Sequence, residues 1–243
     1  MINGFGASGL LWPTALVTEL ERRYQVIRMD NRGTGWSRRT HGPFTVAMMA
    51  DDAYEAMRAC GHASAVVAGY SMGGIVAQEL AVRHPEAVDK MVLMATIPPP
   101  PAQVPPGDVV SLLRLGLGPF DDDREFDRDY RLAVADAILA VASPHFTADD
   151  ELKDEIGAQV LRRVTTRGGA LQQSRAILAW HDPRRLTAVG APTVVFSGQD
   201  DPIVPVENGR RIVELIRGAT HVELPRTGHL VPWEARPRLV EAL

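Results

Sequence analysis

With 243 residues and 45% hydrophobic side chains, the chain is long enough for one α/β domain with a sizeable core. A net charge of −4, with arginine pairs scattered at Arg22-Arg23, Arg162-Arg163 and Arg210-Arg211, argues against a nucleic-acid surface. Cys60 is the single cysteine, which excludes a disulfide framework and a cysteine-based metal cluster and makes a reduced, cytoplasmic setting the default expectation. The amino terminus shows neither a basic stretch nor an apolar signal core. No apolar run approaches the roughly 20 residues of a membrane span, so no membrane partner is expected.

Met1 and Ile2 read as the tail of a strand opening into a Gly-rich loop, Asn3-Gly4-Phe5-Gly6, which can aim a backbone N–H into a site. Trp12 to Arg23 has helical spacing with Pro13 suited to a first turn. Tyr24 to Met29 reads as a strand running into the turn-rich loop Asp30-Asn31-Arg32-Gly33-Thr34-Gly35-Trp36-Ser37. Thr45 is a plausible N-cap for a helix to Cys60, closed by Gly61.

Next comes Val66-Val67-Ala68-Gly69-Tyr70-Ser71-Met72-Gly73-Gly74, a β-branched run ending in Gly-x-Ser-x-Gly with a helix-like run, Ile75 to His84, behind it. Strand, sharp turn and helix form the context that a nucleophile elbow requires. Pro85 ends the helix, and Lys90 to Ala95 is a further buried strand. Alternating strands and helices predict a parallel sheet covered on both faces.

The alternation breaks at Pro98-Pro99-Pro100-Pro101, a stiff connector. Helices are expected near Val109–Leu115, Asp127–Val141, Ala148–Arg163 and Ala170–Trp180, and the run Asp121-Asp122-Asp123 as a cap or a solvated stretch. An all-helical insertion of this kind reads as a lid. The expected organisation is therefore a core of residues 1–97 and 186–243 with a helical cap over 98–185. The sheet resumes at Pro192–Ser197 and carries Gly198 to Pro205 at its end. Val206 to Arg217 reads as a helix, Thr220–Leu224 as the last strand, and Arg236–Leu243 as the start of a final helix.

In a parallel α/β sheet, sites form where the strands' carboxyl ends meet their loops. Three such loops carry Ser71, Asp201 and His229, in the chain order expected of this architecture. A serine hydroxyl needs a base to take its proton, and a carboxylate fixes the imidazole tautomer and stabilises the imidazolium. Of the seven histidines, His41 and His62 lie at turns, His84 ends a helix, His145 and His181 fall in the insertion, and His221 sits inside a strand. Only His229 follows the last strand and the acid. Asp201 is preferred as the acid because Pro202 stiffens its turn, with Asp200 left as a turn-capping residue. The backbone N–H groups of Phe5 and Met72 are the expected oxyanion donors. Tyr70 and Trp180 are candidate substrate contacts, while Arg32 and Trp36 are read as bracing their loop.

Together these residues resemble the α/β-hydrolase superfamily over nearly the whole chain. Gly69 to Gly74 matches its elbow, and Asp30 to Ser37 resembles a loop of its small bacterial esterases, lactonases and cofactor-free haloperoxidase relatives. Gly198 to Pro205 is similar to its acid loop, which implies Asp201, and Gly228-His229 to its histidine loop. The resemblance implies the family's fold, a mostly parallel sheet with helices on both faces, and its Ser-Asp-His triad, but no substrate. A serine hydrolase acting on a carboxylic ester, lactone or thioester of a small molecule is the simplest use of that triad, and with no metal, nucleotide or redox cofactor motif in the sequence no cofactor or metal is expected. Carbon–carbon bond hydrolysis, cofactor-free perhydrolysis and a non-catalytic ligand sensor are the alternatives, and oligomeric state stays open.

Two departures stand out. The family's oxyanion loop usually reads His-Gly where this chain has Asn3-Gly4, and Asn can still make loop hydrogen bonds. The family also has a β-hairpin and most of a third strand ahead of this loop, between the strands expected at Tyr24–Met29 and Val66–Gly69. The expectation is therefore a trimmed version of a longer protein, with its first strands missing.

Overall fold

A computed structural model describes residues 1–37, 42–105, 107, 127–163 and 165–243. The helix expected near 109–115, the acidic run Asp121-Asp122-Asp123 and His41 lie outside these residues.

Four strands, β1 (Ala65–Tyr70), β2 (Val88–Met94), β3 (Thr193–Gly198) and β4 (Thr220–Leu224), form one parallel sheet in that order. β1, β2 and β3 are short runs rich in apolar and β-branched residues, as strands covered on both faces require, whereas the edge strand β4 is half-buried until Leu224. The period of two sorts their side chains. Met91 and Leu93 face one side with Val67 and Val195, against helices α2 (Val46–Ala59) and α3 (Met72–Arg83). Val92 and Met94 face the other with Phe196, against α1 (Thr14–Leu20) and a carboxyl-terminal helix over Arg236–Ala242. Each fully buried Leu, Ile or Met in these layers contributes about 1.5–3 kcal/mol of transfer free energy.

The strand expected over Tyr24–Met29 does not form. Only Met29 makes a sheet-like bridge, to Ile2, and Ile2 bridges Gly69 on its other side. The Ile2 N–H donates to Ala68 O at 2.8 Å, and Ile2 O accepts from the Tyr70 N–H at 3.0 Å. A strand exists through ladder hydrogen bonds, and one residue offers only one N–H and one C=O. Beyond Ile2 the two flanks part around a cleft of about 320 Å³ lined by Val26, Ile27, Val66 and Ala68.

Between β2 and β3 the described residues form three α-helices, α4 (Arg128–Leu139), α5 (Asp150–Arg162) and α6 (Arg167–Ala179). Side-chain caps start them: Asp127 accepts from the Tyr130 N–H, Asp149 from Leu152 and Thr166 from Gly169. The Thr166 cap starts α6 three residues earlier than the spacing predicts. Thr45 caps α2 as expected, and Gly61 follows it with φ +88°, a left-handed turn that suits glycine. After β3 come α7 (Glu207–Leu215), then β4, the single turn α8 (Val231–Glu234) and α9 (Arg236–Ala242). The turn α8 was not foreseen; Pro232 in its first turn is compatible with it. No described helix is long and apolar enough to cross a membrane.

Candidate active site

Ser71 stands at the carboxyl end of β1 with φ 52° and ψ −121°, a conformation a non-glycine residue adopts only when its surroundings impose it. The Ser71 N–H donates to Met94 O at 2.8 Å, and Ser71 O accepts from the Gly74 N–H at 2.9 Å and the Thr96 hydroxyl at 2.7 Å. The turn needs its glycines. A Cβ at Gly69 would lie 2.5 Å from Gly73 O, and one at Gly73 would lie 2.0 Å from Ile2 O. Strand end, helix start and Gly-rich loop therefore meet backbone to backbone, and the hydroxyl is left clear beside the first turn of α3.

The histidine and the acid arrive on the loops after β4 and β3. His229 Nε2 lies 3.2 Å from Ser71 Oγ, and His229 Nδ1 lies 2.8 Å from Asp201 Oδ2. A carboxylate only accepts, so Nδ1 carries the hydrogen and Nε2 presents its lone pair to the serine. The side chains of His229 and Asp201 are 3% and 1% exposed, which keeps water from competing for this chain of bonds. Asp201 Oδ1 accepts from the N–H groups of Ile203 and Val204, both at 2.8 Å, so its orientation is set by its own loop. Asp200 points elsewhere and accepts from the Ser143 hydroxyl at 2.6 Å. It ties the loop to the helical segment, a different task from the turn cap expected of it.

The Gly-rich loop lies against the serine: a Cβ at Gly4 would be 3.2 Å from Ser71 Cβ. Asn3 braces the loop as expected, with Oδ1 accepting from the Gly4 N–H at 2.8 Å and Nδ2 donating to Ser8 O at 2.9 Å. Gly6 carries φ +66°. The N–H groups of Phe5 and Met72 have no hydrogen-bond partner among the described residues.

A pocket of about 80 Å³ opens above these groups, walled by Phe5, Leu11, Tyr70, Ile138, Val160 and Trp233. The Tyr70 ring lies 5.4 Å from the imidazole of His229. Burial, reinforced by the nearby charges of Asp201 and Glu234, pushes the Tyr70 phenol well above its ordinary range, so it stays neutral. Trp180 is not part of this pocket. It is buried in the core layer packed with α2 and α3, and its Nε1–H donates to Glu79 Oε2 at 3.1 Å. An indole at the end of α6 satisfies its N–H against a buried carboxylate, which explains its burial without a ligand. Arg32 does brace its loop, pairing with Asp52 through both Nε and Nη2.

Four residues around the site were not legible beforehand. Gln173 accepts from the Gly6 N–H at 2.9 Å and donates to Arg32 O and Thr34 Oγ1. The Thr165 hydroxyl donates to Gly6 O. Glu234 Oε2 accepts from the N–H of Gly228 at 2.8 Å and of Ser143 at 2.9 Å, locking the residue before His229 onto the helical segment. Burial, aided by Asp201, raises the Glu234 carboxyl above its usual range against the pull of its backbone donors. Arg163 lines the pocket wall. Their partners lie up to 167 residues away in the chain, a separation no local pattern encodes.

Residues 1–236 match the family described as alpha/beta hydrolase fold. The putative carbamate hydrolase RutD of Caulobacter sp. (strain K31) is 28% identical, over 93% of this chain and 81% of the relative. The putative non-heme bromoperoxidase BpoC of Mycobacterium tuberculosis is 28% identical, over 98% of this chain and 88% of its own. Among solved structures, the enol-lactonase from Burkholderia xenovorans LB400 superposes with a TM-score of 0.77 at 25% identity, covering 99% of this chain and 87% of that one.

Proposed function

The chain belongs to the α/β hydrolase fold family, and on that premise we propose that it is a serine hydrolase cleaving a carboxylic ester, lactone or thioester through an acyl-serine. The observation that carries this reading is the unbroken chain from Ser71 Oγ through His229 to Asp201, with links of 3.2 and 2.8 Å. His229 Nε2 takes the hydroxyl proton as Oγ attacks the carbonyl carbon, and Asp201 stabilises the imidazolium. The oxygen that becomes negative accepts from the Phe5 and Met72 N–H groups, two donors of the kind each worth about 3 kcal/mol in such transition states. His229 then protonates the leaving alcohol or thiol. Water, deprotonated by the same nitrogen, releases the acid from Ser71.

In this reading residues 98–185 act as a cap, with Ile138 and Val160 closing the apolar wall and Tyr70 contacting substrate. The test uses 4-nitrophenyl butyrate and a fluorophosphonate. The wild type should release nitrophenol and take up one phosphonyl group per chain. Ser71→Ala should lose both by at least about 10³-fold while keeping its fold. Ester hydrolysis that survives in Ser71→Ala would overturn the assignment.

A further inference from the structure

The ladder between β3 and β4 ends at Gly198 and Leu224, before either strand reaches its functional residue. Beyond that point the two loops lean on each other. The Gln199 N–H donates to Leu224 O at 3.0 Å and the Asp200 N–H to Thr227 O at 2.9 Å. A Cβ on Gly198 would lie 2.3 Å from Thr227 O and 2.4 Å from Gly228 O, so the loops cross backbone against backbone.

A third segment, Val141 to Ser143 between α4 and α5, is bonded to both loops. Val141 O accepts from the His229 N–H at 2.8 Å. The Ser143 hydroxyl donates to Asp200 Oδ2 at 2.6 Å. The Ser143 N–H meets the Gly228 N–H on one oxygen, Glu234 Oε2, at 2.9 and 2.8 Å. The His145 N–H donates to Ser143 Oγ at 3.2 Å, which occupies a lone pair of that oxygen and leaves its hydrogen for the carboxylate. The approach requires a glycine at 228, because a Cβ there would lie 2.3 Å from Ser143 N and 2.5 Å from Ala142 C. Ser143 is 3% exposed, so water does not compete for these bonds.

Asp200 and Gly228 immediately precede Asp201 and His229 in the chain. One buried residue of the helical insertion therefore grips the backbone one position ahead of the acid and one position ahead of the base. The 2.8 Å link from His229 Nδ1 to Asp201 Oδ2 joins loops from two different strands. Misplacing such a group by about 1 Å can cost about 10²-fold in rate.

We infer that Ser143 is a positioning residue of the triad: bonded to Asp200 directly and to Gly228 by way of Glu234, it holds Asp201 and His229 in register, so that the helical insertion completes the catalytic machinery as well as walling the pocket. This rests on the serine-hydrolase reading above and deepens it.

The test measures kcat and KM on 4-nitrophenyl butyrate, and the rate at which a fluorophosphonate labels Ser71, for Ser143→Ala, Asp200→Ala, their double variant and Asp200→Asn. The end point of labelling counts the folded chains and normalises kcat. Ser143→Ala removes the donor and Asp200→Ala the acceptor, while Asp200→Asn keeps an oxygen for the hydroxyl. Each alanine variant should lose at least about fivefold in kcat and in labelling rate, with KM changed by less than about twofold. The double variant should lie within about twofold of the lower single variant, because one bond can be broken only once. Asp200→Asn should regain most of what Asp200→Ala loses. Alanine variants that lose less than this, or that change KM alone, overturn the inference and leave the hydrolase reading intact. So do losses that multiply in the double variant, or an Asp200→Asn as slow as Asp200→Ala. A wild type that neither hydrolyses the ester nor takes the label overturns the hydrolase reading, and this inference with it.

Discussion

The side-chain amide of Gln173, on α6, holds the N–H of Gly6 at 2.9 Å, one residue beyond the proposed oxyanion donor Phe5. The same amide donates to Thr34 Oγ1 at 2.9 Å and to Arg32 O at 2.7 Å, and Thr165 takes the carbonyl of Gly6. Gly6 is thus held on both its polar groups by the helical segment, and the position of the Phe5 N–H depends on where that segment sits. On the proposed hydrolase reading, Gln173 acts through Gly6 as a positioning residue. Gln173→Leu should lower kcat on 4-nitrophenyl butyrate by about 10- to 100-fold, less than removing a donor outright, with a smaller change in KM. An effect on KM alone would show that the amide shapes the pocket and not the donor.

Asp201 has two separable tasks. Oδ1 holds the Ile203 and Val204 N–H groups, and Oδ2 holds the imidazole. Asp201→Asn keeps an oxygen for the first task and offers an amide N–H to the second, which favours the wrong imidazole tautomer. Its kcat should fall by about 10³- to 10⁴-fold, while thermal denaturation should shift little. A large loss of stability with modest loss of rate would assign Asp201 to the loop instead.

Glu234 gives a pH dependence with a definite sign. Burial raises its folded-state carboxyl above the unfolded value, so the folded protein holds that proton to higher pH. Its contribution to stability is complete below the unfolded value and is lost as pH rises through the folded one. Gln cannot titrate and keeps a carbonyl oxygen for Gly228 and Ser143. The melting temperature of Glu234→Gln relative to wild type should therefore climb between pH 4 and pH 7. A difference that stays flat over this range would contradict the shift.

Glu79 is 3% exposed and receives Nη1 and Nη2 of Arg185, each at 2.9 Å, as well as the Trp180 indole. Removing the arginine leaves a buried carboxylate with one donor. Arg185→Met should cost about 3 kcal/mol by urea denaturation, towards the low end for buried pairs because Arg185 is 38% exposed. Adding Glu79→Gln should restore part of it. Arg210→Met, which breaks the solvent-screened pair with Glu223, should shift the urea midpoint much less than Arg185→Met does.

Much of the molecule is legible in local pattern because its causes are local. Gly69, Ser71 and Gly73 announce the sharp turn since only glycine permits backbone contacts that close. Thr45, Asp127 and Gly61 mark helix ends because a cap acts within three residues. The period of two along β2 sorts Met91 from Val92 with no knowledge of what covers them. That Ser71, Asp201 and His229 can meet follows from strand ends that share one edge of a parallel sheet.

Other features were decided only when distant segments met. Residues 24–29 have the composition of a strand, yet strand state is a property of a pair, and among the described residues this segment receives one bridge, from Ile2 to Met29, and one backbone hydrogen bond, from the Met1 amino group to Ile27 O. Trp180 looks like a pocket aromatic until Glu79, 101 residues away, takes its N–H. The grip of Gln173 on Gly6, of Glu234 on Gly228 and of Trp36 on Arg163 each joins side chains with no spacing rule between them. The chain alone determined which groups could do chemistry; tertiary structure decided which of them are held still enough to do it, because a hydrogen bond across the fold exists only after folding has brought its two ends within about 3 Å.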